Sequence, residues 1–471
     1  MISISHKSPT GAFTLTITGT SGRLGAQSAG NANPSLAQNS KMLASVVVVY
    51  IPPDGSPLVE FLPLSVLNGA SAIASRRIAM SISRRNLLRH IGTGAFVGAT
   101  APALCGFPLP PATEKSWKNS GLTAQPSNVP TAADPVLLYR NENPYGPSER
   151  VLTVLRESVV CGNRYPRTEY DTLWDKLAAL HHVKREQIVL GCGSGEILCM
   201  AALAFLKPGK KLVQAGPTFP ALGKLAQTAG VEVTDVPVNK RYEHDLAVML
   251  DHARTSTGLV YIVNPNNPTG TITPRKEIEA FIGKLPANVT VLIDEAYHHF
   301  VSPGGEYETF LDCPIGDPRV VVSRTFSKIY GLAGMRIGYA VAIPEIAKHL
   351  AAGFPSWSVS VVSARAASAA LDDVDYVRLG FKRNSDDRQE FMNQVNARML
   401  RAIDSQTNFV MVNPMRPPDE VIEHLKKNNV FIGPRYPVLD KYVRVSLGTP
   451  GEMQAFWRVW DLMPSTGKMA M

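Results

Sequence analysis

Cysteine is scarce in this chain. Its 471 residues contain five, Cys105, Cys161, Cys192, Cys199 and Cys313, an odd number in which no CxxC or zinc-ligand spacing occurs. Cys192 and Cys199 flank a Gly-rich turn with six residues between them. A disulfide framework is excluded on these spacings, and the thiols read as free or buried. Long apolar runs are also missing: none approaches the ~20 residues that a spanning helix needs, so no stable membrane anchor is expected. The net charge is +9, yet no block of Lys and Arg interleaved with aromatics gathers it. Nucleic acid is therefore not an expected partner, and the charge implies a soluble surface with at most a bias towards anionic ligands. Internal repeats are absent. A chain this long implies two or three units of about 100–200 residues each.

The first third reads unlike the rest. Residues 1–79 are rich in Ser, Ala, Gly, Asn and Pro, with short apolar patches at Ser45 to Ile51 and Leu58 to Leu67. With so little apolar surface to bury against its ordering entropy, the segment is expected to be disordered, or to lie upstream of a true start at Met80. Within residues 80–106, Ser83-Arg84-Arg85-Asn86-Leu87-Leu88-Arg89 precedes a short Gly/Ala-rich apolar stretch, Ile91 to Cys105. This order resembles a twin-arginine export signal and predicts a periplasmic or secreted destination. Residues 107–135 read as a Pro/Ser/Thr-rich linker.

From Val136 the pattern becomes that of a folded protein. Residues 136–165 form an extended, turn-rich arm with one helix. Over 166–350, short apolar strands (Ile188–Leu190, Lys211–Val213, Val231–Val236, Leu259–Val263, Val289–Ile293 and Val320–Val322) alternate with helical segments. That alternation predicts an α/β fold, a mostly parallel sheet flanked by helices. Residues 351–464 predict a smaller α+β domain, with helices at Val361–Leu371 and Tyr376–Ala402 and strands at Phe409–Val412 and Val443–Leu447; 465–471 is a tail.

Four stretches carry chemistry. Val320-Val321-Val322 leads through Ser323-Arg324-Thr325-Phe326-Ser327 to Lys328, with Arg336 eight residues on. A lysine just past a buried strand suits a Schiff base with an aldehyde cofactor. Gly191-Cys192-Gly193-Ser194-Gly195-Glu196, between a strand and a helix start, can aim backbone N–H groups at a phosphate. Asn264-Pro265-Asn266-Asn267-Pro268-Thr269-Gly270 brackets Asn267 with two prolines and holds its amide in one direction. Val291-Leu292-Ile293-Asp294-Glu295-Ala296-Tyr297 ends a buried strand on a carboxylate, which needs a cationic or donor partner there. Ligands of open α/β sheets sit at the carboxyl ends of strands, and Asn267, Asp294 and Lys328 all fall just past such ends. His298-His299 and His181-His182 lack metal-ligand partners in the sequence, and no metal site is expected; Glu295 reads as structural.

Taken in order, NPNNPTG, IDEAY and TFSK with its following arginine resemble the fold-type I pyridoxal-phosphate aminotransferases of class I/II. LYRNENPYGPS, NRYP, GSGE, SQTNFV and VRVSLGTP resemble the histidinol-phosphate aminotransferase branch, and the likeness spans about residues 136–462. It implies pyridoxal 5'-phosphate as cofactor, an amino donor and a 2-oxo acid acceptor as substrates, and a homodimer. It also implies roles: Lys328 as Schiff-base lysine and proton carrier, Asp294 at the pyridinium nitrogen, and Asn267 and Tyr297 at the ring's phenolic oxygen. Ser194, Gly195, Glu196, Thr325, Ser327 and Arg336 would surround the phosphate, and Phe219 would stack on the ring. Tyr165 would reach the neighbouring subunit's phosphate, and Arg444, Asn408 and Tyr145 would meet the substrate.

The chain departs from that pattern where many relatives carry an acidic residue (here Gly195), a tyrosine (here Phe219) or an asparagine-bearing segment (here Trp357-Ser358-Val359-Ser360). Together with an export signal, these departures point from histidinol phosphate towards aromatic or other amino acids as donors; phosphate esters stay open, with Arg435 as a cation for the entrance and a positive net charge. Decarboxylation of an amino-acid phosphate is the alternative reaction on the same cofactor residues. A cofactor-binding sensor is a third reading, and residues 1–135 lack the paired basic helices that it would need for DNA.

Overall fold

A computed structural model describes residues 134–311, 317–355 and 357–464, and the backbone of four strands nearer the N-terminus. These strands, β1 (Ile2–His6), β2 (Phe13–Ile17), β3 (Ser45–Tyr50) and β4 (Leu58–Pro63), pair antiparallel in that order within a unit of residues 1–121. These strands fall within the stretch expected to be disordered, the rest of which lies outside the described residues. The Ile2/Ile4 and Phe13/Leu15/Ile17 alternations are short period-two patterns, and β3 and β4 fall on the two apolar patches. The export-like segment 80–106, the linker up to residue 133 and the tail 465–471 lie outside the described residues.

The second unit, residues 122–471, holds the α/β body. Seven strands, β6 (Ile188–Gly191), β7 (Lys211–Gly216), β8 (Glu232–Pro237), β9 (Thr257–Val263), β10 (Thr290–Asp294), β11 (Val320–Thr325) and β12 (Gly338–Val341), form one sheet in the order β6-β12-β11-β10-β9-β7-β8. All neighbouring pairs are parallel except those of β12, which runs antiparallel to both β11 and β6. Every residue of β9, β10 and β11 is buried. Their near-continuous apolar runs follow from cover on both faces. Val260, Ile262, Val291, Ile293, Val320 and Val322 enter one core with helices Thr168–His181, Arg275–Lys284 and Val361–Leu371. Leu259, Tyr261, Val263, Leu292 and Val321 enter the other with helices Ser194–Phe205, Ala221–Thr228 and Pro344–Ala351. The expected sheet flanked by helices is present.

Strand β12 was not foreseen. It is four residues long and opens on Gly338, where a β-carbon would overlap Ser194 N. Its glycine lets the sheet edge lie against the start of helix Ser194–Phe205.

The remaining strands are β5 (Val136–Leu138), β13 (Arg401–Ala402), β14 (Phe409–Asn413), β15 (Val430–Ile432) and β16 (Val443–Ser446). β13, β14 and β16 pair antiparallel, and β5 pairs parallel with β15. A third core joins Val136 and Leu138 of the arm to Val410, Val412, Phe456, Trp457 and Trp460. The helix expected over Tyr376–Ala402 runs Val374–Ala397 and stops before Met399, whose φ of 53° is left-handed; Arg401 and Ala402 are strand instead.

Candidate active site

The registers of β9, β10 and β11 bring the candidate residues to one end of the sheet. Asp294, the last residue of β10, stands opposite Val263 of β9 and Ser323 of β11. Asn267 follows β9 and Lys328 follows β11, so three loops converge where parallel strands end together.

Asp294 is buried. Its carboxylate accepts from Tyr261 Oη at 3.0 Å and from the Ala296 N–H at 3.2 Å. Both are neutral donors, and burial pushes its pKa up to about 6. A carboxylate so placed is short of a cation, and a protonated ring nitrogen would supply one. Lys328 Nζ donates to the carbonyls of Asn141 (2.9 Å) and Arg140 (3.2 Å) and lies 5.5 Å from the centre of the Tyr297 ring. Burial, and then the charge of Arg444, lowers its pKa to about 8. A lysine of that basicity offers a free amine near neutral pH to an aldehyde.

The phosphate cradle is built where helix Ser194–Phe205 begins. Gly193 has a φ of 76°, and a β-carbon on it would overlap the Arg336 guanidinium, so glycine lets the arginine lie on the turn. Arg336 Nη1 reaches Ser327 Oγ at 3.4 Å, and Thr325 Oγ1 bonds Ser327 Oγ at 3.0 Å. Helix N–H groups, two hydroxyls and one guanidinium thus meet, a donor set suited to a phosphate dianion. Glu196, foreseen among these groups, is turned away. Its Oε2 accepts from the Cys192 N–H and from Ser358 Oγ, both at 2.6 Å. A carboxylate beside phosphate would repel it, and these two donors hold it back at the helix start. Phe219 is half-buried against the core that contains Leu222 and Tyr261.

On the opposite side, Arg444 of β16 donates from Nη1 to Asn267 Oδ1 (2.7 Å) and from Nη2 to the Tyr139 carbonyl (2.7 Å). Its guanidinium carbon lies 5.5 Å from the ring centres of both Phe409 and Tyr436, and its Nε is buried without a partner. Asn408 Nδ2 donates to the Asn141 and Glu142 carbonyls, and its Oδ1 has no partner. One expected residue is engaged elsewhere. Tyr145 Oη donates to Asp387 at 2.9 Å, under the Arg383 guanidinium. Tyr165 is 78% exposed and stands 5.8 Å from Trp357, itself 59% exposed.

Three participants were missed: Tyr261, which lies in a strand whose period gives no hint of a polar role, and Asn141 and Ser446. Asn141 is 2% exposed with a φ of 55°, a conformation that asparagine tolerates better than most residues. It touches Tyr297, Lys328, Asn408 and Ser446. Its place in the turn-rich Asn141-Glu142-Asn143-Pro144 run was the one available signal. Burial keeps His181, His298 and His299 well below the usual imidazole pKa, so they stay neutral. Among the described residues no cluster of metal-ligating side chains occurs.

A family model described as aminotransferase class I and II matches residues 133–459. Histidinol-phosphate aminotransferase 2 of Carboxydothermus hydrogenoformans is 36% identical over 322 residues, 68% of this chain and 88% of that protein. Histidinol-phosphate aminotransferase of Staphylococcus carnosus is 38% identical over 313 residues, 66% and 86% of the two chains. Among solved structures, histidinol-phosphate aminotransferase from Sinorhizobium meliloti in complex with pyridoxal-5'-phosphate superposes with a TM-score of 0.64 at 26% identity, covering 69% of this chain and 90% of that one.

Proposed function

The chain belongs to the class I and II aminotransferases, and from that premise we propose which donor it takes, how it assembles and where it works. It is a fold-type I, pyridoxal-phosphate-dependent aminotransferase. When bound, pyridoxal phosphate supplies the electron sink for bond breaking at the amino-bearing carbon. Lys328 Nζ, held by two backbone carbonyls, is the group that takes and returns the proton at that carbon. Asp294 supplies the negative charge that keeps the ring nitrogen protonated. The Gly193–Gly195 turn, Ser327 and Arg336 hold the phosphate. Borohydride treatment of the loaded chain is expected to fix the cofactor on Lys328, and its absence from that peptide by mass spectrometry overturns the assignment.

The donor proposed is an aromatic α-amino acid, with a 2-oxo acid as acceptor. The observation that carries it is Arg444, a forked cation between two aromatic rings with an unpartnered buried N–H. One guanidinium matches one carboxylate in two-pronged fashion. Arg435, a second cation that an entering phosphate ester could meet, donates to the Asp440 carbonyl and pairs with Asp419. Histidinol phosphate is the second reading, favoured by the names of the relatives. A donor panel on the full chain separates them: an aromatic amino acid with the highest kcat/KM supports the first, and histidinol phosphate with the highest defeats it. Consumption of 2-oxoglutarate, without carbon dioxide release, distinguishes transfer from decarboxylation.

The assembly proposed is a homodimer, supported by the adjoining exposed rings of Tyr165 and Trp357. Light scattering is expected to give twice the chain mass, and an active monomer removes the idea. Export is proposed from Ser83–Arg89. A tagged chain retained in the cytoplasm to the same extent with and without Arg84→Lys and Arg85→Lys defeats it.

A further inference from the structure

Asn141 is bonded at every polar atom it has, and the bonds determine one another. Its backbone N–H donates to Ser446 Oγ at 2.8 Å. Ser446 Oγ, already accepting there, sends its own hydrogen to Asn141 Oδ1, also at 2.8 Å. The amide thus has its oxygen at Ser446 and its NH2 group at Tyr297. That group donates to Tyr297 Oη at 3.0 Å. The tyrosine hydroxyl is on the accepting side of this bond, and its single hydrogen is left for another acceptor.

We propose that Asn141 is a positioning residue: held by Ser446, it makes Tyr297 a donor to the phenolic oxygen of the cofactor ring. The inference rests on the reading of Tyr297 as that oxygen's partner. The same residue holds Lys328, because its carbonyl accepts from Lys328 Nζ at 2.9 Å. The left-handed backbone of Asn141 presents the carbonyl to the lysine while the side chain reaches the tyrosine. Arg444 and Ser446 lie two residues apart on β16 and share a face, so one strand supplies both the substrate's cation and the anchor of this relay. Asn267 is oriented in the same way: Arg444 occupies its oxygen, leaving its NH2 as the free end. Two amide-directed donors then converge on one anionic oxygen. A donor there favours the anion and makes the neighbouring nitrogen less basic.

The test uses the full chain loaded with pyridoxal phosphate and reads the pH midpoint of the bound cofactor's absorbance change. Asn141→Gly keeps the left-handed backbone, and with it the carbonyl contacts to Lys328 and Asn408, while removing the amide. The expected result is an upward shift of about one pH unit, the size of one lost hydrogen bond of about 1.4 kcal/mol. In a Tyr297→Phe background, already shifted upward, Asn141→Gly is expected to add nothing, because both changes remove the same donor. Ser446→Ala, which frees the amide to turn, is expected to shift the midpoint in the same direction by less, and it serves if the glycine variant does not fold. An unchanged midpoint in Asn141→Gly or, failing that variant, in Ser446→Ala overturns the proposal. So does an Asn141→Gly shift as large in the Tyr297→Phe background as without it. If Tyr297→Phe alone moves nothing, the placement of Tyr297 at the ring oxygen fails first, and the relay with it.

Discussion

Arg444 and Asn267 are 177 residues apart in sequence, and Arg444 Nη1 donates to Asn267 Oδ1 across 2.7 Å. The bond ties β16, in the smaller sheet, to the loop after β9 in the larger one. It links the residue suited to the substrate's anion with one suited to the cofactor ring. Arg444→Lys keeps the charge and loses the fork. The kcat/KM for the 2-oxo acid is expected to fall about tenfold to a hundredfold, the range of a lost charged hydrogen bond of about 1.5–3 kcal/mol. Steady-state kinetics with saturating donor reads it.

Cofactor loading should follow the titration of Lys328. With a pKa lowered to about 8 by burial and by Arg444, the free amine is the minor form below that pH. The loading rate of apoprotein is expected to climb through pH 7 and level off above about 8, followed by absorbance in a stopped-flow instrument. Arg444→Gln removes one lowering charge and should move the midpoint upward. The linkage has a definite sign. Between about 8 and the ordinary 10.5 the unfolded chain holds the extra proton, so this group adds stability as pH rises through that window.

Asp294 gives the opposite slope. Its folded pKa, raised by burial to about 6 from an ordinary 3.8, means that the native apoprotein holds the extra proton between those values. Stability from this group therefore falls as pH rises from about 4 to 6. Asp294→Asn is expected to remove that slope and raise the apoprotein's melting temperature above pH 6, while turnover drops by about two to three orders of magnitude, as for other lost electrostatic partners of reacting groups. Calorimetry across pH, beside an activity assay, checks both halves.

Glu295, next to Asp294, is structural. Its carboxylate is 1% exposed and is bonded by Arg324, Thr309 Oγ1 and the Phe310 N–H. Glu295→Gln leaves the Arg324 cation buried without its counter-charge and is expected to cost about 3–5 kcal/mol. Replacing both, as Glu295→Leu with Arg324→Met, should restore most of that loss. Urea unfolding of the three chains measures it, and a single variant as stable as the parent contradicts the assignment.

The sequence by itself determined the sheet and the order of its chemical loops. Strands β9, β10 and β11 are legible because a strand covered on both faces is written as a local run of Val, Ile and Leu. Asn267, Asp294 and Lys328 are legible because each follows such a run directly. Strand β12 was not, since four residues opening on Gly338 have no period of their own and gain their place from the backbone of Gly193 and Ser194. Tertiary structure alone decided the direction of each polar group. Glu196 turns back to Ser358, Tyr145 is bonded to Asp387, and Asn141, which donates directly to Tyr297, is held by Ser446, 305 residues away. Hydrogen-bond direction depends on which atom is already occupied, and those occupants come from distant strands that no local window contains.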